Sequence, residues 1–389
     1  MNRRVLRWAI FPIFMVLAYL AFPRSVEVQT GFTSAKVCAS CHSEIYYHWS
    51  NSLHANSVSD PLFEALYFQV IKEGDTKAKE TCLRCHAPTT RVTKDFNLNQ
   101  EVTREGVTCD FCHSISRVNP GNRHEPYSYS LGRVTTGSSR GIPSRHQPLD
   151  LTVQETSAFC GVCHEHRGRS GVLIMGTYSE WRDSPYAAQG VKCQDCHMPT
   201  LKVARTAGPG APSTRKVNNH NIQGGHSLEQ LRQALKVEIV DIEKVQERLR
   251  VTINLTNIGS GHMVPTGIPS RKLTLVVKFK DPSGEVIGKD FAHYQKVLAD
   301  EQGRLLHSDL DQLLKAVRIV RDNRIAPKEI RQEVFYFPVP KGFGKKYFLV
   351  PQKGDYTIEA EVYYHYSPLV LQKTDISVEM TRDTVIVPR

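Results

Sequence analysis

The sequence predicts a two-part fold: a mainly α-helical and loop-rich N-terminal part, followed by an immunoglobulin-like all-β sandwich. All ten cysteines lie between Cys38 and Cys196 of the 389 residues. After Val237 the pattern changes to alternating apolar and polar residues, which is typical of strands. We therefore expect an N-terminal domain at 31–226, a short linker helix at 227–236 and the β-sandwich at 237–389.

Every cysteine belongs to a Cys-x-x-Cys-His motif. Two thiols at this spacing form thioethers with the vinyl groups of one haem, and the adjacent histidine reaches the iron from the proximal side. One such motif would also suit a redox dithiol or half a zinc site, but five copies that use every cysteine exclude these and a disulfide framework. The sequence therefore predicts five covalently bound haem c groups. The motifs are Cys38-x-x-Cys41-His42, Cys82-x-x-Cys85-His86, Cys109-x-x-Cys112-His113, Cys160-x-x-Cys163-His164 and Cys193-x-x-Cys196-His197.

The motif region has too little chain for a conventional core, with about 32 residues for each motif. Porphyrins are therefore expected to form its apolar interior, wrapped by helices and loops with few sheets. Residues Thr200–Gly225, rich in Gly, Pro, Ser and Asn, predict a loop. Ser227 is expected to cap the linker helix that follows.

The C-terminal part contains at least five stretches with strand character, at residues 237–244, 248–258, 272–281, 332–339 and 355–366. Asp281–Glu285, "DPSGE", predicts a turn between strands. Residues 309–322 predict a helix or a lid within the domain. This number of strands over some 150 residues without cysteine indicates a sandwich.

Residues 1–30 predict export. Arg3, Arg4 and Arg7 precede an apolar run of 15 residues at Trp8–Phe22, a length that suits a signal peptide and is short for a membrane span. No Ala-x-Ala cleavage site follows, so an uncleaved anchor at residues 8–22 is the alternative. The expected location is the periplasm or the cell surface, with an inner-membrane tether as the alternative.

The formal net charge is +11. Haem propionates would offset part of this charge, and the exported part has no compact basic run with interleaved aromatics. A nucleic-acid partner is therefore not predicted. The basic balance favours an acidic redox partner.

Eleven of the 16 histidines are not proximal ligands, so distal ligands must be chosen among them. His54 is expected on a helix that begins near Ser43, where Trp49 and Ser52 could pack on the porphyrin and orient the imidazole. His220 and His226 bracket "HNIQGGH", whose glycines allow close approach of backbone to a planar cofactor, and at least one of them should be a ligand.

Two further candidates lie in proline-containing segments. His146 is expected in a loop before the fourth motif and is preferred to His124. His262, in "NIGSGHMVPTGIPSR", is either a turn residue or a distal ligand that ties the β domain to a haem, with Met263 as a competing ligand. His48 is expected to be a surface or packing residue. His166 is too close to His164 to bind the same iron and is a further candidate ligand of another iron.

A repeated stretch raises the question of an open iron. Tyr46–Ala55 and Tyr178–Ala187 both read Tyr-x-x-Trp-x-x-Ser-x-[His/Tyr]-Ala, but Tyr186 stands where the first copy has His54. Tyr186 could mark a haem without a distal ligand and assist catalysis there. Because other histidines can supply every iron, packing on porphyrin is the preferred interpretation.

These motifs resemble known groups of proteins. "CASCHSEIYYHWSNSLHA" resembles the opening of the cytochrome c-554-like multihaem family, and "TYSEWRDSPYAAQGVKCQDCHMP" is similar to a segment shared by that family and the pentahaem nitrite reductases. "HNIQGGH" and "NIGSGHMVPTGIPSR" resemble the haem-to-β-domain junction of larger bacterial multihaem cytochromes. The nitrite reductases carry lysine at their catalytic haem, whereas all five motifs here end in histidine, which argues against that activity.

The predicted function is electron transfer through mostly bis-histidine haems, because two histidines fill the coordination sphere of an iron. Redox proteins, including a membrane quinol-oxidising or outer-membrane complex, are the expected partners. One alternative is a reductase or oxidase of a small nitrogen or sulfur compound at one open haem, assisted by Tyr186, His166 or Arg167. Another is an assembly subunit docked through the β domain.

Overall fold

The computed structural model describes residues 31–122, 124–132, 134–136, 143–146, 152–168, 170–203, 215–340, 354–366 and 376–387; for 134–136, 143–146, 202–203 and 215–216 it describes the backbone alone. The predicted leader at 1–30 lies outside the described residues. Within those ranges, no helix is both long enough and apolar enough to cross a membrane.

Short capped helices joined by turns form most of the N-terminal part. The carboxylate of Asp60, for example, accepts hydrogen bonds from the amides of Leu62 and Phe63 and so begins one helix. Ser227 caps another in the same manner, as its sequence position predicts. The helices are α1 Ala35–Ala39, α2 Ser43–Ser50, α3 Pro61–Lys72, α4 Thr76–His86, α5 Thr90–Thr93, α6 Glu101–Arg104, α7 Cys109–His113, α8 Ser157–Gly161, α9 Thr177–Arg182, α10 Pro185–Ala188, α11 Cys193–His197, α12 Leu228–Ala234 and α13 Asp309–Lys315.

Antiparallel hairpins interrupt this helical part. They pair β1 Ile115–Val118 with β2 Tyr127–Tyr129, β3 Val134–Thr136 with β4 Pro143–His146, β5 His166–Arg167 with β6 Leu173–Met175, and β7 Thr200–Val203 with β8 Arg215–Asn218. The prediction of a loop over Thr200–Gly225 is therefore wrong at Thr200–Val203 and Arg215–Asn218. A hydrogen-bonded partner strand satisfies the backbone groups there, and local composition does not reveal such a partner.

The C-terminal part is all-β except for α13, which confirms the coarse prediction for this region. Its larger sheets are antiparallel, with strand orders β16-β10-β9 and β12-β11-β17-β18, and a small sheet has the order β14-β13-β15. The linker helix ends at Ala234, earlier than predicted, because the first strand begins at Leu235. The strands are β9 Leu235–Val245, β10 Arg248–Asn257, β11 Lys272–Lys280, β12 Val286–Tyr294, β13 Lys296–Ala299, β14 Leu305–Leu306, β15 Arg318–Asp322, β16 Ile330–Pro338, β17 Tyr356–His365 and β18 Ser377–Val387.

The two larger sheets share one hydrophobic core. Alternate residues of β10, such as Val251 and Ile253, and of β11, such as Leu275 and Val277, are fully buried in the same cluster. Each buried aliphatic side chain contributes about 1.5–3 kcal/mol of transfer free energy. The alternation that predicted these strands therefore also predicts which face of each strand is buried.

Glu361 of β17 is buried among ion-pair partners. Its side chain is 2% exposed, and it accepts hydrogen bonds from Lys278 Nζ at 2.6 Å and Tyr363 Oη at 2.8 Å. Burial raises the pKa of Glu361, but the hydrogen bonds from Lys278 and Tyr363 outweigh it and leave the pKa below the ordinary value of 4.5. The ion pair therefore stabilises the folded state above that ordinary pKa, and this contribution is lost as the pH falls through the lower, folded pKa.

The substitution Glu361→Gln is expected to lower the free energy of unfolding by about 1–3 kcal/mol at neutral pH, because Lys278 loses its charged partner. The difference from the unmodified protein should shrink at acidic pH, where Glu361 is protonated. Urea unfolding followed by circular dichroism measures both effects. Glu101→Gln, which affects the exposed ion pair with Lys36, is the matched control; equal losses for both variants would contradict the prediction.

Candidate functional site

The five motifs lie on helices or at their ends. In α7 and α11 the motif is the whole helix, and in α4 it is the last turn. Because helical residues at i, i+3 and i+4 share one face, both thiols and the imidazole of a motif lie on the same side. This arrangement is what attachment to one porphyrin requires.

Thiols of different motifs lie side by side. The thiol of Cys38 in the first motif lies next to that of Cys109 in the third, and the thiol of Cys160 in the fourth lies next to that of Cys193 in the fifth. Cys85 of the second motif likewise contacts Cys163 of the fourth. All ten cysteines are free of disulfides. The motifs are therefore packed against one another rather than distributed over the surface.

Three proximal histidines face a second histidine that is remote in sequence. The ring centroids of His54 and His164 lie 6.2 Å apart, those of His113 and His220 lie 6.4 Å apart, and those of His197 and His262 lie 6.2 Å apart. The rings of the last pair are nearly parallel, with an angle of 8° between their planes.

These separations fit two imidazoles on opposite sides of one metal ion. With metal–nitrogen bonds of about 2 Å and about 1.2 Å from nitrogen to ring centre, two axial imidazoles have centroids about 6.4 Å apart. Imidazoles in direct van der Waals contact would stack closer together. The three pairs thus have the spacing that bis-histidine ligation of haem iron demands.

Backbone carbonyls orient several of these imidazoles. The Nδ1 atoms of His86, His197, His220 and His262 lie 2.9, 2.6, 2.8 and 3.0 Å from the carbonyl oxygens of Ser57, Gln223, Asn218 and Met263, respectively. A carbonyl can only accept, so Nδ1 carries the proton and Nε2 keeps its lone pair. This is the tautomer that binds a metal through Nε2.

Three histidines of the facing pairs are held in the neutral form. Burial lowers the pKa of His54 to about 4, of His164 to about 3 and of His262 to about 4. The side chain of His164 is itself exposed, and its pKa is lowered because the surrounding protein, and then the nearby His54 and His197, disfavour the charged form. A neutral imidazole at pH 7 is the form that donates a lone pair to iron.

The predicted ligand His226 has a different kind of neighbour. His226 packs on Tyr366, with ring centroids 5.0 Å apart, and not on a proximal histidine. Burial lowers the pKa of both His226 and His86, and the charge of Asp60 opposes this shift in each, so both histidines lie near Asp60. Phe63 stacks on His86 at 4.1 Å.

His146 is the last residue of strand β4 and pairs with Val134, so it does not lie in a loop as predicted. Its side chain lies outside the described residues. Hydrogen bonds between β4 and β3 hold the backbone of this segment in an extended conformation. Its competitor His124 is exposed, and His48 is partly buried next to Tyr47, whereas His166 is part of hairpin β5–β6.

His54 lies beyond the helix on which it was expected, because α2 ends at Ser50. The side chain of Asn56 donates to the carbonyls of Ser50 and Ser52 and stabilises the turn that replaces a further helical turn. Ser52 Oγ accepts from the Ala55 amide and does not contact the imidazole. The turn carries His54 across to His164.

The repeated stretch forms the same contacts twice. Trp49 Nε1 donates to the carbonyl of Val107 at 2.9 Å, and the Val107 amide donates to the carbonyl of His54 at 2.9 Å. In the second copy Trp181 Nε1 donates to Val191 at 2.9 Å, and the Val191 amide donates to Tyr186 at 3.0 Å. Each valine lies two residues before a motif, so both copies fix the approach to a haem motif.

Tyr186 is directed towards the β region. Its hydroxyl donates to the carbonyl of Ile258 at 2.8 Å, and Lys328 Nζ lies 4.4 Å from the ring centre. These contact partners of Tyr186 belong to the β region, whereas His54 in the first copy faces His164 of the fourth motif.

The loop that carries His262 is anchored on both sides. Asn257 Nδ2 donates to the His262 carbonyl at 3.0 Å, and Val264 and Ile325 exchange two backbone hydrogen bonds of 3.0 Å. Sequence reasoning missed the buried Glu180 and Arg324, which form an ion pair of 2.8 Å between the two parts of the chain. The available signal was weak, since neither residue lies in a motif with a ligand pattern.

Comparison with known proteins supports a multihaem cytochrome fold. Residues 37–114 match the family model of cytochrome c554 and c-prime. The chain is similar to a penta-heme cytochrome c552 from Thermochromatium tepidum, with a TM-score of 0.70 and 23% identity over 91% of this chain and 98% of that chain, which indicates a shared fold. A β-glucuronidase from Bacteroides uniformis, with a TM-score of 0.20 and 12% identity over 39% of this chain and 12% of that one, is too dissimilar for inference. No curated protein matches the chain.

Proposed function

We propose that the chain is a multihaem c-type cytochrome that binds five haem c groups and transfers electrons between redox partners without transforming a substrate. The observation that carries this proposal is the set of three histidine pairs at 6.2–6.4 Å. Two strong ligands leave no coordination position for a substrate. When bound, each haem supplies a reversible one-electron iron couple.

The chain's own residues would bind, orient and desolvate these groups. We assign the ten motif cysteines to thioether attachment and His42, His86, His113, His164 and His197 to proximal ligation. His220, His54 and His262 are the proposed distal ligands opposite His113, His164 and His197, respectively. The thiol contacts between motifs support close packing of the groups, which suits electron transfer.

Two irons remain to be assigned distal ligands. We propose His146 for the His42 iron and His226 for the His86 iron. The proximity of Asp60 to both His86 and His226 supports the second assignment. The first follows by elimination, because His42 is the remaining proximal histidine and His146 is the remaining predicted distal ligand. A catalytic role for Tyr186 is not proposed, because its hydroxyl is engaged with the Ile258 carbonyl.

The domain boundaries of 31–226 and 237–389, and an immunoglobulin-like class for the second, are part of the proposal. The shared core of two antiparallel sheets supports a sandwich. We further propose export to the periplasm or cell surface, where haem c is attached, and an acidic redox partner that complements the net charge of +11.

Five haems per chain are expected in the purified protein, because each motif supplies both thioethers. Intact-mass spectrometry under denaturing conditions and the pyridine haemochrome assay measure this number independently. The variant with Cys193 and Cys196 both replaced by alanine should lose one haem in both assays. A full complement of haem in that variant, or fewer than five haems in the unmodified protein, would contradict the assignment.

The oxidised protein should be wholly low-spin in electron paramagnetic resonance (EPR). Bis-histidine ligation at every iron produces this result, whereas an enzymatic role at one open haem requires a high-spin signal. The two functions are therefore separated by one spectrum. A high-spin signal from one haem in five would overturn pure electron transfer.

A further inference from the structure

Arg324 joins the two parts of the chain at a buried point. Its side chain is 6% exposed, and its Nε and Nη2 atoms donate to the two carboxylate oxygens of Asp322 at 2.8 Å each. Nη2 also lies 2.8 Å from Glu180 Oε1, and the Glu180 side chain is 8% exposed. Nη1 donates to the carbonyl of Pro265 at 3.1 Å. Buried charges are costly unless partnered, so these contacts define one orientation of the guanidinium.

Glu180 connects this guanidinium to both sides of the fifth motif. The next residue in α9, Trp181, donates to the Val191 carbonyl and fixes the chain just before that motif. The second Glu180 oxygen, Oε2, accepts from Thr266 Oγ1 at 2.6 Å, in the loop that carries His262. One carboxylate therefore links the segment leading to the proximal histidine with the loop presenting the opposite one.

The His262 loop depends on the same region of the β domain. Arg324 directly precedes Ile325, whose backbone pairs with Val264. Arg324 and Ile325 thus fix the loop just after His262, through Pro265 and Val264, respectively. Long-range contacts of this type set the position of the imidazole, since the loop has no other regular secondary structure.

We propose that Arg324 and Glu180 are positioning residues that hold His262 at ligation distance from the His197 iron. This inference rests on the proposed function, in which His262 is an axial ligand. The ion pair would couple the packing of the β region to the sixth coordination position of one haem. Small displacements matter, because ligands must be held to within about 0.5 Å of the productive geometry.

The test compares Arg324→Gln with Arg250→Gln in the full-length haem-loaded protein. Arg250 forms ion pairs with Asp241 and Glu243 elsewhere in the β region, and none with the His262 loop. Arg324→Gln is expected to raise the high-spin EPR signal several-fold above that of Arg250→Gln and to shift the reduction potential of one haem. Arg324→Lys should rescue only in part, because lysine lacks the bidentate fork.

Two additional variants separate a folding defect and a wrong ligand assignment from a failure of the positioning inference. Thr266→Val removes the hydroxyl that contacts Glu180 but retains every charge, and it replaces Arg324→Gln if circular dichroism shows that the latter does not fold. His262→Ala reports on the ligand itself. If His262→Ala becomes high-spin while Arg324→Gln and Thr266→Val stay low-spin, the positioning inference is wrong and the ligation stands. If His262→Ala is unchanged, the ligand assignment fails and the inference fails with it.

Discussion

Replacing His54 with alanine is expected to convert one haem per chain, that of the fourth motif, from low-spin to high-spin. His54 is the ring opposite His164, at 6.2 Å, and alanine has no group that can bind iron. The turn itself should persist, because the Val107 amide bonds to the backbone carbonyl of residue 54 and not to its side chain. The reduced variant should also bind carbon monoxide at that haem.

The repeat provides the matched control for this experiment. Tyr186 occupies the position of His54 in the second copy, and its carbonyl accepts the equivalent hydrogen bond from Val191. Tyr186→Ala should leave every haem low-spin. It should lower the free energy of unfolding by about 1–2 kcal/mol, because the contacts with Ile258 and Lys328 are lost. EPR and carbon monoxide difference spectra measure both variants. Unchanged spectra for His54→Ala, or a high-spin haem in Tyr186→Ala, would refute the assignment.

Changing His262 should affect the fifth haem in a manner that depends on the replacement. His262→Ala removes the ring opposite His197 and should produce one high-spin haem. His262→Met should keep that haem low-spin but raise its reduction potential, because histidine–methionine ligation gives higher potentials than bis-histidine ligation. Spectropotentiometric titration distinguishes these outcomes from the unmodified protein.

The neighbouring Met263 provides a control for His262. Its carbonyl accepts from His262 Nδ1, so its backbone orients the ring, and its side chain is the alternative ligand that the sequence predicts. Met263→Leu should leave the potentials unchanged if His262 is the ligand. If Met263→Leu lowers one potential and His262→Ala does not alter the spin state, Met263 is the ligand.

Much of the fold follows from local patterns. The strands β9, β10, β11, β16 and β17 are predicted by alternation, and helix α12 by its cap and apolar spacing. The helix or lid predicted over 309–322 is a helix only at Asp309–Lys315, because Arg318–Asp322 forms strand β15. The hairpin β7–β8 was missed, as were β12 and β18. These strands carry weaker alternation or unfavourable composition and form because a neighbouring strand offers hydrogen bonds.

The candidate site, too, was predicted from sequence only in part. The repeated Tyr-x-x-Trp-x-x-Ser stretch was identified from sequence, but its function in fixing Val107 and Val191 was not. The buried pair Glu180 and Arg324 carried no recognisable motif. Their importance arises from meeting in space, since each residue is an ordinary surface type in its own segment.

The sequence alone predicted the attachment chemistry, from five motifs in which two thiols and a histidine are spaced to lie on one side of a helical turn. That chemistry is local, because the three groups lie within five consecutive residues. Only the tertiary structure decided which distant histidine faces each of the proximal residues His113, His164 and His197. The partners are remote in sequence, and their 6.2–6.4 Å separations depend on how turns, loops and the β region pack together.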